Sequence, residues 1–195
     1  MRKVMFALAV VAASASLVHN AYAGETEVVC LTPDGSKALC KPNGVLVWQS
    51  QDAPHKTVIL FGAGGSLPAY LDRFRELAES GNDVEVRGPC RSACTMIVAY
   101  IPAHRLCFGE WATLEFHSAA VSWEHPKLPA PMTTRRMFNS YPENIRAWLQ
   151  NKGGVEEMTI EDFWILTAPE LWAMGYRKCE PGPLPALRNY RPEWK

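Results

Sequence analysis

The feature that most constrains the fold is a continuous apolar run that ends abruptly in glycines. Residues 57–61 (Thr-Val-Ile-Leu-Phe) have the composition of a strand buried on both faces, and residues 62–66 (Gly-Ala-Gly-Gly-Ser) follow directly. Apolar residues then recur at three- and four-residue intervals from about Pro68 to Ser80, which predicts a helix that Gly81 ends. A buried strand, a sharp turn and a helix are typical of a parallel sheet covered by helices.

The alternation of strands and helices continues along the chain. A second strand is predicted over 83–87, a helix from near Arg91 to Pro102, and short strands over 105–108 and 113–116. This order predicts an α/β fold with a parallel sheet flanked by helices. A small N-terminal β element is expected over 24–50, a loop over 121–131, and helices over 133–139, 143–151, 156–166 and 169–175.

The N-terminus has the organisation of an export signal. Arg2 and Lys3 precede an apolar run over 4–18, and Ala21-Tyr22-Ala23 supplies small residues for cleavage. An uncleaved anchor is the alternative, but the run is short of the roughly 20 apolar residues that a membrane span needs. The sequence therefore predicts a signal peptide over 1–23 and a periplasmic or secreted protein without a membrane segment.

The mature chain is predicted to be one domain. An α/β domain over 24–180 and an irregular tail over 181–195 would remain after cleavage, 172 residues in all. The removed segment carries two basic residues, so 18 Lys and Arg oppose 20 Asp and Glu, a net charge of −2. Nothing in this balance indicates a nucleic-acid or anionic membrane partner.

Six cysteines in an exported chain favour disulfides. They are Cys30, Cys40, Cys90, Cys94, Cys107 and Cys179. The sequence does not choose among the possible pairings. The favoured disulfides are Cys30–Cys40 and Cys107–Cys179, which leaves Cys90 and Cys94 to bond to each other or to stay free. A zinc site of the central two with His117 is the alternative, but C-x3-C is not a usual zinc spacing and export favours oxidation. No metal or cofactor is expected.

Three features fall at the carboxyl ends of successive predicted strands, where open α/β sheets build their sites. They are the glycine turn at 62–66, Ser92 at a helix start after Gly88-Pro89-Cys90-Arg91, and His117 at a strand end. Taken singly, each has an ordinary structural explanation. A glycine-rich turn is usually only a turn, a serine often caps a helix, and a lone histidine is more often structural than catalytic.

Together these features resemble the Clp protease and crotonase superfamily. The glycine turn is similar to that family's Ser-Pro-Gly-Gly-Ser turn, and Ser92 ends a Gly-x-x-x-Ser stretch like that of the nucleophile. His117 follows 25 residues later, as the family's base does. Residues 167–175 resemble its Ser-Ala-x-x-Ala-x-x-x-Gly helix, with Leu171 in place of alanine. The resemblance spans residues 57–176.

The resemblance implies a fold and a set of roles. It implies a ββα spiral in which Ser92 is the nucleophile and His117 is the general base. It also implies an oxyanion hole made by the backbone N–H groups of Ala93 and of Gly65 or Gly64.

The family's third catalytic residue, an acid, has no match in register. Its position falls on or next to Phe163, so Asp162, one residue away, is the candidate that the resemblance implies. Glu161 and Glu156 are substitutes, and the acid could also be absent.

Two main functions follow from this interpretation of the sequence. The first is a serine hydrolase of peptidase type, acting on a peptide or a small ester or amide; the second is a catalytically inactive binding or assembly module on the same scaffold. A crotonase-like thioester enzyme is disfavoured because coenzyme A thioesters are cytosolic. Family members commonly form homo-oligomeric rings, but loop 121–131 is unlike their handle region, so the oligomeric state stays open.

Overall fold

The computed structural model describes residues 55–121 and 127–181 in full, together with the backbone of three strands nearer the N-terminus. The predicted signal peptide, the side chains of Cys30 and Cys40, and the tail beyond Pro181 lie outside the described residues. The strands in the described part are β1 Val29–Leu31, β2 Lys37–Leu39, β3 Val45–Gln49, β4 Lys56–Gly62, β5 Asp83–Val86, β6 Pro89–Arg91, β7 Leu106–Phe108, β8 Thr113–Phe116, β9 Ala120–Val121, β10 Leu128–Pro129, β11 Trp164–Thr167 and β12 Arg177–Lys178.

The helices occupy the intervals between these strands. The α-helices are α1 Leu67–Glu79, α2 Ile97–Tyr100, α3 Pro131–Ser140, α4 Glu143–Asn151 and α5 Ala168–Ala173, and short 3-10 helices cover Ser92–Met96 and Ala103–Arg105. Proline in the first turn begins α1, where a missing N–H costs nothing. Its apolar stripe buries Tyr70, Phe74 and Leu77 in the core.

The main sheet has the order β11-β8-β6-β4-β5-β7-β12. Every neighbouring pair from β8 to β12 is parallel, while β11 runs antiparallel to β8 and β3 pairs antiparallel with β4. Strand β4 lies at the centre of the sheet and is buried from Thr57 to Gly62, as its apolar run predicts. The predicted α/β class, a mostly parallel sheet flanked by helices, is therefore confirmed.

The register of three central strands sets the position of the candidate site. Gly62 of β4 pairs with Cys90 of β6, and Arg91 pairs with Glu115 of β8. Because these strands are parallel, their carboxyl ends lie at the same edge of the sheet. The glycine turn, Ser92 and His117 each follow one of these ends.

One predicted element is wrong. The helix expected over 156–166 does not form; the chain makes a turn there and then enters β11. The Thr159 hydroxyl accepts a hydrogen bond from the Asp162 amide, and the Thr159 carbonyl accepts one from the Ser118 amide. The following β-branched and aromatic residues pair with β8, so strand pairing prevails over a short helical pattern.

Other boundaries are refined. The helix predicted from Arg91 begins one residue later as a 3-10 turn before α2, and the expected loop over 121–131 includes the β9–β10 hairpin. The helix that follows β11 has a capping box in which the Thr167 amide donates to the Glu170 carboxylate over 2.8 Å. No helix in the described part of the chain is long and apolar enough to cross a bilayer.

Two disulfides lie within the described residues. Cys107 of β7 bonds to Cys179 just after β12, as predicted, and joins residues 72 apart in sequence. Cys90 bonds to Cys94, the local pairing that the sequence left open. The two central cysteines are therefore not available as zinc thiolates, which removes the zinc alternative in this oxidised form.

Candidate active site

Ser92 has an unusual backbone conformation. Its φ is +52°, and among the described residues it is the only non-glycine residue with a positive φ. Arg91 before it is still extended, and the 3-10 helix begins at Ser92 itself. Non-glycine residues rarely adopt this left-handed region, and strained conformations of this kind cluster at functional sites, where the surrounding structure holds them.

Gly64 and Ser92 are in close contact. A Cβ on Gly64 would lie 2.6 Å from the Ser92 Cβ and 2.9 Å from the Arg91 carbonyl oxygen. Gly64 itself has a φ of +80°. Only glycine satisfies both conditions, so the glycine turn after β4 serves as the wall against which the Ser92 turn packs.

The Cys90–Cys94 disulfide brackets Ser92. Both cysteines are completely buried, and their Cα atoms are 5.2 Å apart. A Cβ on Gly62 would lie 2.3 Å from the Cys94 sulfur, so the disulfide also packs directly on the end of β4. The turn that carries Ser92 is thus held by the covalent bond between Cys90 and Cys94 and by its close packing against Gly64.

His117 lies at the end of β8 with its ring half-buried. Its Nδ1 is 3.1 Å from the carbonyl oxygen of Ile160. A carbonyl oxygen can only accept, so Nδ1 carries the hydrogen and, in the neutral ring, Nε2 keeps its lone pair. That tautomer is the one a general base needs.

Burial lowers the pKa of His117 below 6.5, and this effect outweighs the opposing hydrogen bond to Ile160. The nearby charge of Lys127 also lowers this pKa, whereas the charge of Glu161 raises it. The imidazole is therefore neutral at pH 7 and able to accept a proton.

An aromatic ring occupies the place where the resemblance implies an acid. The Phe163 ring packs against the His117 ring at an interplanar angle of 34°, with the ring centroids 4.5 Å apart. The Arg91 guanidinium lies 5.6 Å from the Phe163 centroid. Arg91 also forms an ion pair with the buried carboxylate of Glu115. Phe163 shields one side of the imidazole from water, which contributes to the lowered pKa.

In the described part of the chain, the predicted acid forms no hydrogen bond or ion pair with the histidine. Asp162 is exposed, and its carboxylate accepts a hydrogen bond of 3.2 Å from the Thr159 hydroxyl. Glu156 is paired with Arg135 at 2.7 Å, and Glu161 acts on His117 only through its charge. The group that orients His117 is a backbone carbonyl, which short-sequence patterns do not reveal.

Ser92 and His117 lie on neighbouring strand ends without a direct bond. Arg91 is opposite Glu115 in the parallel pair of β6 and β8, so Ser92 comes one residue and His117 two residues past that pair. Within the described residues no hydrogen bond links the two side chains. Catalytic hydrogen bonds are often long before substrate binds, and the arrangement is compatible with a base that closes on its nucleophile.

No family model and no curated protein matches this chain. The geometry of its own side chains is therefore the basis for a proposed chemistry.

The candidate oxyanion donors differ in availability. The Gly64 amide donates to the Tyr70 hydroxyl over 3.0 Å, so the structure does not leave it for a substrate. Gly65 is exposed, with a φ of +127°, and no atom lies within 4 Å of where its Cβ would be. Ala93 lies in the first turn of the 3-10 helix, where amides have no acceptor inside the helix. Gly65 and Ala93 are the better pair.

A metal centre has little support in the described residues. The one suitable cluster combines Glu85 with Cys107 and Cys179. Those two cysteines are bonded to each other, and the Glu85 carboxylate is already paired with Lys56 and Arg87. The three side chains of this cluster are therefore already engaged in a disulfide and in ion pairs that stabilise the fold.

Proposed function

We propose that this protein is a serine hydrolase of peptidase type, exported to the cell envelope and built on a spiral of the Clp protease and crotonase kind. Ser92 is its nucleophile and His117 its general base. The substrate is a peptide or a small ester or amide.

The observation that carries the proposal is the strained backbone of Ser92. A serine held at positive φ, at the carboxyl end of a central strand, is where α/β folds present a nucleophile. A serine that only capped a helix would need no such strain. The close packing of Gly64 and the surrounding disulfide explain how the fold maintains it.

The reaction follows from the hydrogen positions. Ser92 Oγ attacks the substrate carbonyl carbon as its proton passes to Nε2 of His117, while Nδ1 keeps its bond to Ile160. The amides of Gly65 and Ala93 stabilise the oxyanion. The imidazolium then gives its proton to the leaving group, and water, activated by the same histidine, releases the acyl chain from Ser92.

The group that orients His117 affects the expected rate of acylation. The Ile160 carbonyl holds the productive tautomer but carries no full charge to stabilise the imidazolium. We therefore expect acylation slower than that of an enzyme whose histidine is held by a carboxylate.

A second function is favoured by one observation. No carboxylate forms a hydrogen bond or an ion pair with His117 in the described structure, and an inactive binding or assembly module on the same scaffold would not need one. The two functions differ in whether Ser92 reacts.

Labelling with a fluorophosphonate probe distinguishes them. The oxidised mature chain, residues 24–195, is incubated with the probe, and the modified residue is located by mass spectrometry. Ser92→Ala removes the nucleophile and His117→Gln removes the base, while Ser66→Ala is the matched control because Ser66 is an exposed serine of the adjacent glycine turn.

We expect one label per wild-type chain, located on Ser92. Labelling is lost in Ser92→Ala, falls by roughly 100-fold or more in His117→Gln, and is retained in Ser66→Ala. A folded wild-type protein that stays unlabelled would refute the hydrolase and leave the binding module. Label that persists in Ser92→Ala would assign the chemistry to another serine.

A further inference from the structure

A buried chain of hydrogen bonds leads from Ser92 into the core. The Thr95 hydroxyl lies 2.6 Å from the Ser92 carbonyl oxygen and 2.6 Å from the Tyr141 hydroxyl. Thr95 is completely buried, and Tyr141 is only 4% exposed. Water does not compete for these bonds, so removing either hydroxyl leaves a buried group without its partner.

The directions of these bonds are determined. The Ser92 carbonyl can only accept, so Thr95 donates its one hydrogen to it. Tyr141 must then donate to the Thr95 oxygen. Burial raises the pKa of Tyr141 well above its usual value, so its phenol remains a donor throughout the range in which the protein is folded.

Tyr141 also contacts the strand that carries His117. Its ring packs edge-to-face on Phe116, with centroids 5.3 Å apart, and Phe116 directly precedes His117. Tyr141 is placed just after α3, so a single buried side chain contacts both the Ser92 turn, through Thr95, and the end of β8.

We propose that Thr95 and Tyr141 are positioning residues that hold the Ser92 turn in its left-handed conformation and in register with the His117 strand. This inference rests on the proposed hydrolase function and extends it. Neither residue touches the reacting atoms. The Thr95 hydroxyl fixes the Ser92 carbonyl, and with it the peptide plane that follows Ser92 and carries the Ala93 amide.

Conservative variants isolate the hydroxyl groups. Thr95→Val keeps the shape of the side chain and removes both hydrogen bonds, and Thr95→Ser restores the hydroxyl. Tyr141→Phe removes only the phenolic hydroxyl and keeps the packing of the ring on Phe116. The measurement is the second-order rate of fluorophosphonate labelling of Ser92 in oxidised, folded protein.

We expect Thr95→Val to slow labelling by roughly tenfold to 100-fold, since small displacements of a nucleophile have effects of this size. Tyr141→Phe slows it by about threefold to tenfold, and Thr95→Ser stays within about threefold of the wild type.

Matched controls separate positioning from general loss of stability. Thr57→Val alters a buried threonine on β4 that accepts a hydrogen bond from Asn82, and Tyr176→Phe alters a buried tyrosine outside the site. Both variants are expected to lose stability yet label at the wild-type rate. Equal slowing in the controls and in Thr95→Val would overturn the proposal.

Crystal structures of the wild type and Thr95→Val make this test independent of the proposed reaction. If the wild type is labelled, the labelling rates decide: an unchanged rate in Thr95→Val refutes positioning. If the wild type is unlabelled, the hydrolase fails and the Ser92 φ decides. A φ that leaves the left-handed region in Thr95→Val supports the positioning role, and one that stays near +52° refutes it.

Discussion

At the scale of single residues, a methyl group added at Gly64 would meet both a backbone strain and a steric clash. Gly64→Ala would strain a φ of +80° and bring its Cβ to 2.6 Å from the Ser92 Cβ. Positive φ alone costs about 1 kcal/mol for alanine, and overpacking adds about 1–3 kcal/mol. We expect a loss of about 2–4 kcal/mol in the free energy of unfolding, measured in urea under oxidising conditions.

Gly81→Ala is the matched control. Gly81 has a φ of +73°, and no atom lies within 4 Å of its hypothetical Cβ, so alanine there carries only the conformational cost. Equal losses at the two positions would show that the contact between Gly64 and Ser92 is looser than the structure indicates.

The ionisation of His117 depends on its cover by Phe163. Phe163→Ala opens the imidazole to water, so the pKa of His117 should rise toward 6.5 from its lowered value. Titration of the imidazole by NMR measures this shift. Ile165→Ala, on the edge strand β11 that follows Phe163 and 50% exposed, should leave the pKa unchanged.

The lowered pKa also makes stability depend on pH. As the pH falls through 6.5, His117 of the unfolded chain binds a proton before His117 of the folded protein does. The folded state is therefore destabilised relative to the unfolded state, and the contribution of His117 to the free energy of unfolding is lost as the pH falls through the folded pKa. Phe163→Ala should reduce this dependence. A His117 pKa at or above 6.5 in the wild type would contradict the burial argument.

Residue-level prediction from the sequence succeeded where chemistry follows strand ends. Glycines 62, 64 and 65, Ser92 and His117 were all predicted at the carboxyl ends of strands, and the structure places them at one edge. The strand that precedes Ser92 is, however, β6, which was not predicted, and not the strand predicted over 83–87. The Ile160 carbonyl was missed because any residue type supplies one. Phe163 and Tyr141 were missed because their contacts depend on β11 and on the packing of α3.

At the scale of elements, the two disulfides should differ in what they stabilise. By loop-closure entropy, the Cys107–Cys179 bond contributes about 4 kcal/mol and the shorter Cys90–Cys94 loop about 2 kcal/mol. The double variant Cys107→Ala/Cys179→Ala should therefore be the less stable, while Cys90→Ala/Cys94→Ala should lose more Ser92 labelling. Urea unfolding and fluorophosphonate labelling, compared on the same two proteins, measure both effects.

The opposite order would change the role assigned to the local disulfide. If Cys90→Ala/Cys94→Ala labels like the wild type, hydrogen bonds and packing alone hold the Ser92 turn. If it is the less stable of the two variants, the local bond supports the central sheet more than loop entropy predicts.

The segment from 156 to 166 shows why element prediction failed in one place. Its apolar residues can be assigned to one face of a helix. Without β11, however, the edge of β8 that faces away from β6 would have no strand partner. A neighbouring strand 50 residues away in sequence therefore decided the conformation, and local periodicity carries no information about that partner. The central strands, in contrast, have long apolar runs and turn residues that agree with their final pairing.

At the scale of the whole molecule, the observed disulfides agree with the predicted export. The Cys107–Cys179 bond spans 72 residues, and such bonds persist in oxidising compartments. When the full chain is expressed in a bacterium, we expect a periplasmic protein that begins at Gly24 and has 172 residues. Intact-mass analysis before and after reduction and alkylation measures both the cleavage and the number of disulfides.

A chain expressed without residues 1–23 is the matched control. It stays in the reducing cytosol, where we expect free thiols and a thermal midpoint lower by about 10 °C or more, given the loss of several kcal/mol of cross-link stabilisation. Oxidation of this control should restore the midpoint and Ser92 labelling together. Retention of residues 1–23 in the exported protein would establish an anchor. Disulfides that form equally in both compartments would show that oxidative folding does not depend on export.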